Sequence, residues 1–256
     1  MGLLAEKRHQ YILEQLRSNG RILVSSIAGD LDVTEVTVRR DLSLLSKTGL
    51  LKKTYGGAVL PGPANSKVSV RFRHTRNIQA KKNIGKLAAD LVKNNDLIYL
   101  EAGSTCYEII PYLSKHKNLT IIVNSLNLMR RLHELTRHNV IVTGGQYRPE
   151  RMDMIGPLAE ATIAQLGGFK AFTGADDISR SAGISGADVA TVTFAKIVLK
   201  QAATVIFVGD RTKFDKPALY KIANLDALDY IVTDRPLNEK WLKIARKKNI
   251  ITIYPK

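Results

Sequence analysis

The chain has 256 residues and a formal net charge of +16 at pH 7, with 39 Lys and Arg against 23 Asp and Glu. This charge favours a polyanionic partner whose binding weakens steeply with salt. The single cysteine, Cys106, excludes an intramolecular disulfide and a metal site built from several cysteines. No apolar run approaches the roughly 20 residues of a membrane span, and residues 1–25 lack the apolar core of a secretory signal, so we expect a cytoplasmic protein with no membrane partner.

The first predicted helix runs through Arg8, Ile12 and Leu16. Ile12 and Leu16 are four residues apart and therefore share one face of this helix. Asn19 and Gly20 favour its end, because both residue types tolerate the left-handed conformation of a helix C-cap.

A helix-turn-helix is predicted next. Residues 24–31 indicate a short helix and residues 32–33 a tight turn, after which Thr34 can accept a hydrogen bond from a free amide and start a helix that stops at Gly49. The apolar residues on the buried face of that helix are Val38, Leu42 and Leu45. The residues left to face outward or flank a DNA major groove are Glu35, Val36, Thr37, Arg39, Arg40 and Ser43.

Residues 50–60 form two short extended runs that predict a small hairpin, basic in its first half, which we interpret as a wing. An Arg-Arg-Asp run on an amphipathic helix is often only a solvated face. The order of capped helix, turn, second helix and basic hairpin favours binding to double-stranded DNA instead. The expected DNA contacts are Ser25, Thr34, Glu35, Val36, Thr37, Arg39, Arg40, Lys52, Lys53 and Tyr55.

A domain boundary is predicted at Pro61, Gly62 and Pro63. Residues 61–86 hold seven Lys or Arg and no Asp or Glu, and these charges either track phosphates or keep a hinge soluble. We therefore divide the chain into a winged helix-turn-helix domain (1–60), a basic linker (61–76) and an α/β effector-sensing domain (77–256).

The larger domain alternates buried strands with helices. Short β-branched runs predict strands at 97–100, 120–123, 140–142, 171–173, 204–208, 230–232 and 250–253. Helical patterns lie between them at 78–91, 125–135, 158–166 and 192–202. This alternation predicts a mainly parallel sheet covered on both faces, in which ligands bind at the carboxyl ends of the strands.

Polar residues gather after five of these strands, and they suit the phosphate and hydroxyl groups of a phosphorylated sugar or polyol. The expected effector-binding residues are Glu101, Gly103, Ser104, Thr105, Asn124, Ser125, Gly144, Gly145, Arg148, Asp176, Asp177, Asp210 and Lys213. Each element alone is ambiguous, since a Gly-Ser-Thr turn can be an ordinary N-cap and a Gly-Gly pair an ordinary turn. No Gly-x-Gly-x-x-Gly follows a strand and no Walker sequence is present, so we expect no nucleotide cofactor.

The chain resembles DeoR-type bacterial transcriptional regulators over almost its whole length. The N-terminal pattern is carried by Arg8, Ile12, Leu16, Thr34, Thr37, Val38, Arg39, Arg40, Asp41 and Leu42. The C-terminal pattern is carried by Gly103-Ser104-Thr105, Asn124-Ser125-Leu126, Gly144-Gly145 with Arg148, Gly156-Pro157, Gly174-Ala175-Asp176, and Asp210 with Lys213-Phe214. The resemblance implies that the second domain is a relative of sugar-phosphate isomerases that serves as an inducer sensor. Departures at Glu101, Asp177 and Arg211-Thr212 bear on the identity of the effector rather than on the fold.

Two functions follow from these patterns. The first is a repressor of a sugar or polyol catabolic operon that binds a phosphorylated effector without turning it over, acting as a homodimer or homotetramer on paired half-sites. The second is a DNA-tethered sugar-phosphate isomerase. Residues 179–183 lack the lysine found in the corresponding loop of isomerase relatives, and the five histidines are scattered, so we assign no catalytic or metal-binding residue.

Overall fold

The computed structural model describes residues 5–19, 21–59, 73–74, 76–135, 137–149 and 151–255. The chain divides into an N-terminal unit, Met1–Arg73, and a C-terminal unit, His74–Lys256. Of the predicted linker 61–76, residues 61–72 and 75 lie outside the described residues, as does the predicted boundary at residue 60.

The N-terminal unit is a winged helix-turn-helix, as predicted. Its elements are α1 (Ala5–Asn19), β1 (Arg21–Leu23), α2 (Val24–Leu31), α3 (Glu35–Lys47), β2 (Lys52–Thr54) and β3 (Gly57–Val59). The predicted hairpin is β2 paired with β3, and β1 pairs with the other side of β3 to give an antiparallel sheet of order β1-β3-β2. No sequence pattern predicts β1, because three residues are too few to show alternation.

Local capping fixes the turn between α2 and α3. Asp32 ends α2 in the left-handed conformation with φ 50°, and the hydroxyl of Thr34 accepts a hydrogen bond from the amide of Thr37 at 3.3 Å. This N-cap satisfies an amide that has no partner within the helix. The predicted apolar face is also confirmed, because Val38, Leu42 and Leu45 are buried in the core of this unit with Ile12 and Leu16.

A buried ion network joins α1 to α3. Asp41 is only 4% exposed, and its carboxylate accepts hydrogen bonds from Arg8 Nε at 2.9 Å and from His9 Nε2 at 2.9 Å. Burial acts to raise the pKa of Asp41, but the hydrogen bonds from Arg8 and His9 outweigh it and hold the pKa below its ordinary value. Asp41 therefore fastens α3 to α1. The sequence pattern does not predict this role.

The C-terminal unit alternates helices and strands. Among the described residues its helices are α4 (Ile78–Ala89), α5 (Ser104–Tyr107), α6 (Leu126–Leu135), α7 (Pro157–Ala164), α8 (Val189–Gln201) and α9 (Glu239–Lys247), with 3₁₀ turns at Ile110–Lys115, Arg211–Lys213 and Leu225–Ala227. Its strands are β4 (Leu97–Leu100), β5 (Thr120–Val123), β6 (Asn139–Val142), β7 (Gln146–Arg148), β8 (Asp153–Ile155), β9 (Lys170–Thr173), β10 (Asp177–Ser179), β11 (Gly183–Gly186), β12 (Thr204–Val208), β13 (Tyr220–Ala223), β14 (Tyr230–Val232) and β15 (Ile251–Ile253).

Seven of these strands form one parallel sheet of order β15-β14-β12-β9-β4-β5-β6. They are the seven strands that the sequence predicts, with bounds shifted by at most one residue. Both faces are covered, since Ile98 and Leu100 of β4 pack into one hydrophobic cluster and Tyr99 between them packs into another. The carboxyl ends of adjacent strands consequently meet at one edge.

Two small antiparallel sheets were not predicted. One has the order β10-β11-β13, and the other is the hairpin β7-β8. Their strands are three or four residues long and carry no clear alternation. They matter for function because β10 begins at Asp177 and β7 ends at Arg148, two of the predicted effector-binding residues.

We expect Asp41→Asn to destabilise the N-terminal unit by about 1.5–3 kcal/mol, the range for weakening hydrogen bonds to a charged group. Because folding lowers the pKa of Asp41, its contribution is complete above the ordinary aspartate pKa of 3.8 and is lost as pH falls through the lower folded pKa. Urea unfolding followed by far-UV circular dichroism at a series of pH values measures both effects.

The fluorescence of Trp241, the single tryptophan of the chain, reports the C-terminal unit and should be unchanged in this variant. Glu35→Gln is the matched control in the N-terminal unit, because it removes an exposed ion pair with Arg39 and should change stability by less than about 0.5 kcal/mol. An Asp41→Asn chain with the wild-type unfolding midpoint and acid profile would contradict the structural role of the network.

Candidate functional site

The outward face of α3 is open and mixed in character. Val36, Arg39, Arg40, Ser43 and Leu44 line one hollow on this face. Their spacing of three and four residues places them on adjacent turns of one helix face. Val36 is 63% exposed and Leu44 is 54% exposed, so apolar side chains are presented to solvent beside two guanidinium groups. Leu44 is not among the residues that the sequence predicts on this face, since a leucine next to Leu45 is more readily assigned to the core.

The two arginines of α3 differ in their partners. Arg39 Nη2 donates to Glu35 Oε2 at 2.9 Å, one helical turn earlier. Arg40 is exposed and forms no ion pair with any described residue. Arg39 is therefore paired with Glu35 at the helix surface, while Arg40 is an exposed cation with no ion pair among the described residues.

A hydrogen-bonded link joins the wing to α3. Lys53 Nζ, on β2, donates to Ser43 Oγ at 2.9 Å, and Ser43 Oγ donates to the carbonyl oxygen of Arg39 at 2.7 Å. Tyr55, at the tip of the β2-β3 turn, is fully exposed. The predicted DNA-contacting residues all lie at the surface except Thr37, which is half-buried: Ser25, Thr34, Glu35, Val36, Thr37, Arg39, Arg40, Lys52, Lys53 and Tyr55.

In the C-terminal unit, the predicted effector-binding loops follow β12, β9, β4, β5 and β6, which are consecutive in the sheet. They therefore share one edge, but their contacts separate them into two groups. The loops after β4, β9 and β12 form what we call the carboxylate cluster, defined by Glu101, Asp176, Asp177, Asp210 and Lys213. The loops after β5 and β6 lead to the β7-β8 hairpin, and what we call the arginine network is defined by Arg148 of β7, Asp153 of β8, and Asp188 and Thr191 at the start of α8.

Glu101 directly follows β4, and its side chain bonds to the residue that follows the neighbouring strand β9. Its Oε2 accepts a hydrogen bond from the amide of Gly174 at 2.6 Å. A Cβ added at Gly103 would lie 3.1 Å from this oxygen, and one added at Gly174 would lie 2.9 Å from it. Both glycines thus leave space for a carboxylate of this chain, which is a different reason for Gly103 than the close approach of an anion that the sequence suggested.

Ser104 and Thr105 follow directly and open the four-residue helix α5. Both residues are half-buried, and their hydroxyls make no hydrogen bond to any described residue. They remain available to a ligand beside Glu101.

Asp176 and Asp177 differ in their bonding. Asp176 Oδ2 accepts from the amide of Ala187 at 2.8 Å, and Lys213 Nζ donates to the carbonyl oxygen of Asp176 at 3.1 Å. The carboxylate of Asp177 accepts no hydrogen bond within the described residues. Burial raises the pKa of Asp177 above its ordinary value, although the charge of Lys213 opposes this shift.

Asp210 is the most deeply buried member of the carboxylate cluster, with 4% exposure. Its Oδ1 accepts from the amide of Thr212 at 2.9 Å, and its Oδ2 accepts from Asn77 Nδ2 at 3.3 Å. Burial acts to raise the pKa of Asp210, but the hydrogen bonds from Thr212 and Asn77 outweigh it and lower the pKa. Asp210 is therefore ionised at neutral pH and can accept further hydrogen bonds.

The arginine network is satisfied within the protein. Arg148 donates from Nε and Nη2 to the two oxygens of Asp153 at 2.8 and 2.7 Å, and from Nη1 to Asp188 at 2.8 Å. Nη2 also donates to Thr191 Oγ1 at 2.9 Å. Asp188 in turn caps α8 by accepting from the amide of Thr191 at 2.8 Å. We therefore assign Arg148 a structural role, in place of the phosphate contact that the sequence suggested.

The other polar residues after β5 are also engaged in structure. Asn124 accepts from the Tyr99 hydroxyl at 3.1 Å and donates to the carbonyl oxygen of Met154 at 3.1 Å, and Ser125 donates to the carbonyl oxygen of Met152 at 3.0 Å. These bonds fasten the segment around the β7-β8 hairpin to the edge of the sheet.

The pair Gly144-Gly145 follows β6 and is required by the backbone. Gly144 has φ 69° and Gly145 has φ 104°, where side chains are strained. A Cβ at Gly145 would also lie 2.6 Å from the carbonyl oxygen of Ile155. The left-handed backbone explains Gly144, and the backbone together with close packing explains Gly145, so neither glycine requires a ligand.

Taken together, a winged helix-turn-helix followed by an α/β unit with polar loops at one sheet edge defines a DNA-binding regulator with a sensor domain. The family comparison agrees unit by unit. Residues 8–63 match the DeoR-like helix-turn-helix domain, and residues 76–235 match the DeoR C terminal sensor domain. The chain belongs to the DeoR family of transcriptional regulators.

Characterised relatives align with nearly the whole chain. The HTH-type transcriptional repressor CsqR of Escherichia coli K12 is 30% identical over 91% of this chain and 88% of its own length. The L-fucose operon activator of Haemophilus influenzae is 28% identical over 96% of this chain and 98% of its own length.

Among solved structures, ribose 5-phosphate isomerase A from Methanocaldococcus jannaschii is 20% identical, with a TM-score of 0.41 over 55% of this chain and 56% of that chain. Among the described residues, no helix is long and apolar enough to cross a membrane.

We expect Arg148→Ala to destabilise the C-terminal unit by about 3 kcal/mol, because it leaves the carboxylates of Asp153 and Asp188 without their common partner. The effect should be present with no small molecule added, as a lower urea midpoint in Trp241 fluorescence. Arg130→Ala is the matched control, since it removes only an exposed pair with Glu134 and should change stability by less than about 0.5 kcal/mol. Equal urea midpoints for the two variants would contradict the structural role of Arg148 and leave this residue available to a ligand.

Proposed function

We propose that this chain represses a sugar or polyol catabolic operon, and that a phosphorylated sugar-like effector bound at the carboxylate cluster relieves repression. The observation that carries the proposal is the outward face of α3, where Arg40 has no partner among the described residues and Val36 and Leu44 are exposed. The repressor CsqR is a relative at 30% identity, which supports repression. Binding to operator DNA implies that the chain we describe acts in the cytoplasm.

On DNA, the two arginines take different tasks. Arg39 is oriented by Glu35 at 2.9 Å, and an oriented guanidinium suits the bidentate contact to a guanine edge. Arg40 is free to follow a phosphate. Val36 offers a methyl surface for a thymine, and Lys52 and Tyr55 of the wing reach the neighbouring backbone. Two such units on paired half-sites require a homodimer or a homotetramer of this chain.

In the sensor domain, the carboxylate cluster suits a ligand rich in hydroxyls. Asp177 and Asp210 accept hydrogen bonds from sugar hydroxyls, while Lys213 and the hydroxyls of Ser104 and Thr105 bind the phosphate. Such a ligand regulates only through a difference in its affinity for two arrangements of the chain. Inverting a 99:1 population takes about 5.5 kcal/mol, which several charge-assisted hydrogen bonds can supply.

One observation favours a second function, a sugar-phosphate isomerase activity. An isomerase needs a base near the substrate carbon, and Asp177 is a half-buried carboxylate with a raised pKa that accepts no hydrogen bond from a described residue. In the loop after β10, however, Arg180 forms an ion pair with Asp215 at 3.3 Å and no lysine is present. Binding without turnover is therefore the function we favour.

We expect Arg40→Ala to weaken binding to DNA of any sequence and to reduce the salt slope of log K by about one. Arg39→Ala should instead relax the preference for one base pair by about 1–3 kcal/mol. The measurement is fluorescence anisotropy at several salt concentrations, with a duplex selected by the wild-type chain from a random library and with its single-base variants.

Arg130→Ala, which removes an exposed arginine from the C-terminal unit, is the charge-matched control and should leave the base preference unchanged. The assignment of α3 to the major groove is wrong if both Arg39→Ala and Arg40→Ala retain wild-type affinity, base preference and salt slope.

We expect the full-length chain to be stabilised against heat by at least one member of a panel of aldose, ketose and polyol monophosphates, since a ligand that binds only the folded state raises Tm. The bound compound should exchange no carbon-bound proton with deuterated water over hours, as followed by NMR. Asp177→Asn should weaken its binding. Exchange that occurs with the wild type and disappears with Asp177→Asn would establish the isomerase instead.

A further inference from the structure

Helix α4 of the C-terminal unit has an unusual N-cap. Asn77 precedes α4 in the left-handed conformation, with φ 51° and ψ 36°, and its side chain makes no hydrogen bond to the helix. Elsewhere in this unit, Asp188 and Asn238 use their side chains in the ordinary way and accept from the amides of Thr191 and Trp241. The side chain of Asn77 is therefore free for another partner.

That partner is the carboxylate cluster. Asn77 Nδ2 donates to Asp210 Oδ2 at 3.3 Å, across 133 positions of sequence. The other oxygen, Oδ1, is occupied by the amide and the hydroxyl of Thr212. A ligand hydroxyl that approaches Asp210 consequently meets Oδ2, whose hydrogen bond to Asn77 is slightly longer than the usual range.

The backbone around Asn77 is held from inside the unit. Lys81 is 5% exposed, and its Nζ donates to the carbonyl oxygen of Arg76 at 2.7 Å, while its amide donates to the carbonyl oxygen of Asn77 at 3.1 Å. The charge of Arg76 also acts to lower the pKa of Asp177, which indicates that residues 76–77 border the carboxylate cluster. These residues follow directly on the start of the C-terminal unit at His74, where the chain arrives from the N-terminal unit.

We propose that Asn77 is a positioning residue of the effector site, which holds Asp210 in the absence of effector and is displaced from Oδ2 when a ligand hydroxyl binds there. The displacement removes the bond between the start of α4 and Asp210, leaves the bonds of Lys81 in place, and so acts on the segment of chain that leads to the DNA-binding unit. This inference rests on the proposed function, because it takes Asp210 to be an effector contact. The polypeptide chain itself then connects effector binding with DNA binding, and no residue of the arginine network is needed.

The test uses two variants of the full-length chain. Asn77→Gly keeps the left-handed backbone but removes the amide, and Asn77→Asp keeps the shape but places a second carboxylate against Asp210. Gln79→Ala is the matched control, since Gln79 lies on the same helix and its amide bonds only within that helix, to Asn83 at 3.2 Å. Trp241 fluorescence confirms that each variant is folded.

The first measurement is affinity for the selected duplex with no small molecule present. Both Asn77 variants should change this affinity by about threefold to tenfold, the effect of losing one hydrogen bond. The change should have the same sign as the change that the bound sugar or polyol phosphate produces in the wild type. Gln79→Ala should leave the affinity unchanged. A purely structural role for Asn77 would lower Tm without this shift in DNA affinity.

Wild-type DNA affinity and a wild-type response to ligand in both Asn77 variants would overturn the proposal. The outcome is separable from the proposed function, because the first measurement needs no effector. If no compound of the panel binds the wild type, the effector class is wrong, while the ligand-free comparison of Asn77→Gly, Asn77→Asp and wild type still supports or overturns the coupling.

Discussion

The parallel arrangement of the seven-stranded sheet is the constraint on which the C-terminal unit depends. Because every strand runs in one direction and both faces are covered by helices, each strand ends at the same edge and each loop there must satisfy its own polar groups. Glycines at 103 and 174 make room for Glu101, and the hydrogen bonds of Asn124 and Ser125 fasten the region of the β7-β8 hairpin. The same edge therefore serves structure and, on the function we propose, binding, and only the contacts of each side chain separate the two roles.

Pairing, rather than residue type, decides which charged groups are available to a ligand. Arg148 and Asp153 satisfy each other inside the unit, so a phosphate would have to break a partly buried pair to reach the guanidinium. Within the described residues, the carboxylate of Asp177 accepts no hydrogen bond, and Lys213 donates only to the backbone oxygen of Asp176. A chain with a net charge of +16 thus places a locally acidic cluster at this edge of the sheet, and on the function we propose its carboxylates accept hydrogen bonds from the hydroxyls of the ligand.

The N-terminal unit separates its charges in a similar way. Asp41 is buried against Arg8 and His9, and it holds α3 at a fixed angle to α1. The neighbouring arginines leave the buried side of α3, because a helix turns by about 100° per residue, and both side chains are exposed. The run Arg39-Arg40-Asp41 therefore supplies both the buried carboxylate that joins α3 to α1 and the exposed cations of α3.

The sequence by itself determined the elements that depend on local rules. Capping by Thr34, the helical spacing of Val38 and Leu42, and the β-branched runs of the sheet all act over a few residues, so they predicted the winged helix-turn-helix and the seven strands. Tertiary structure alone decided which polar side chains are already bonded. Whether Arg148 meets Asp188, or Asn77 meets Asp210, depends on contacts between residues far apart in sequence, and no local pattern records such contacts.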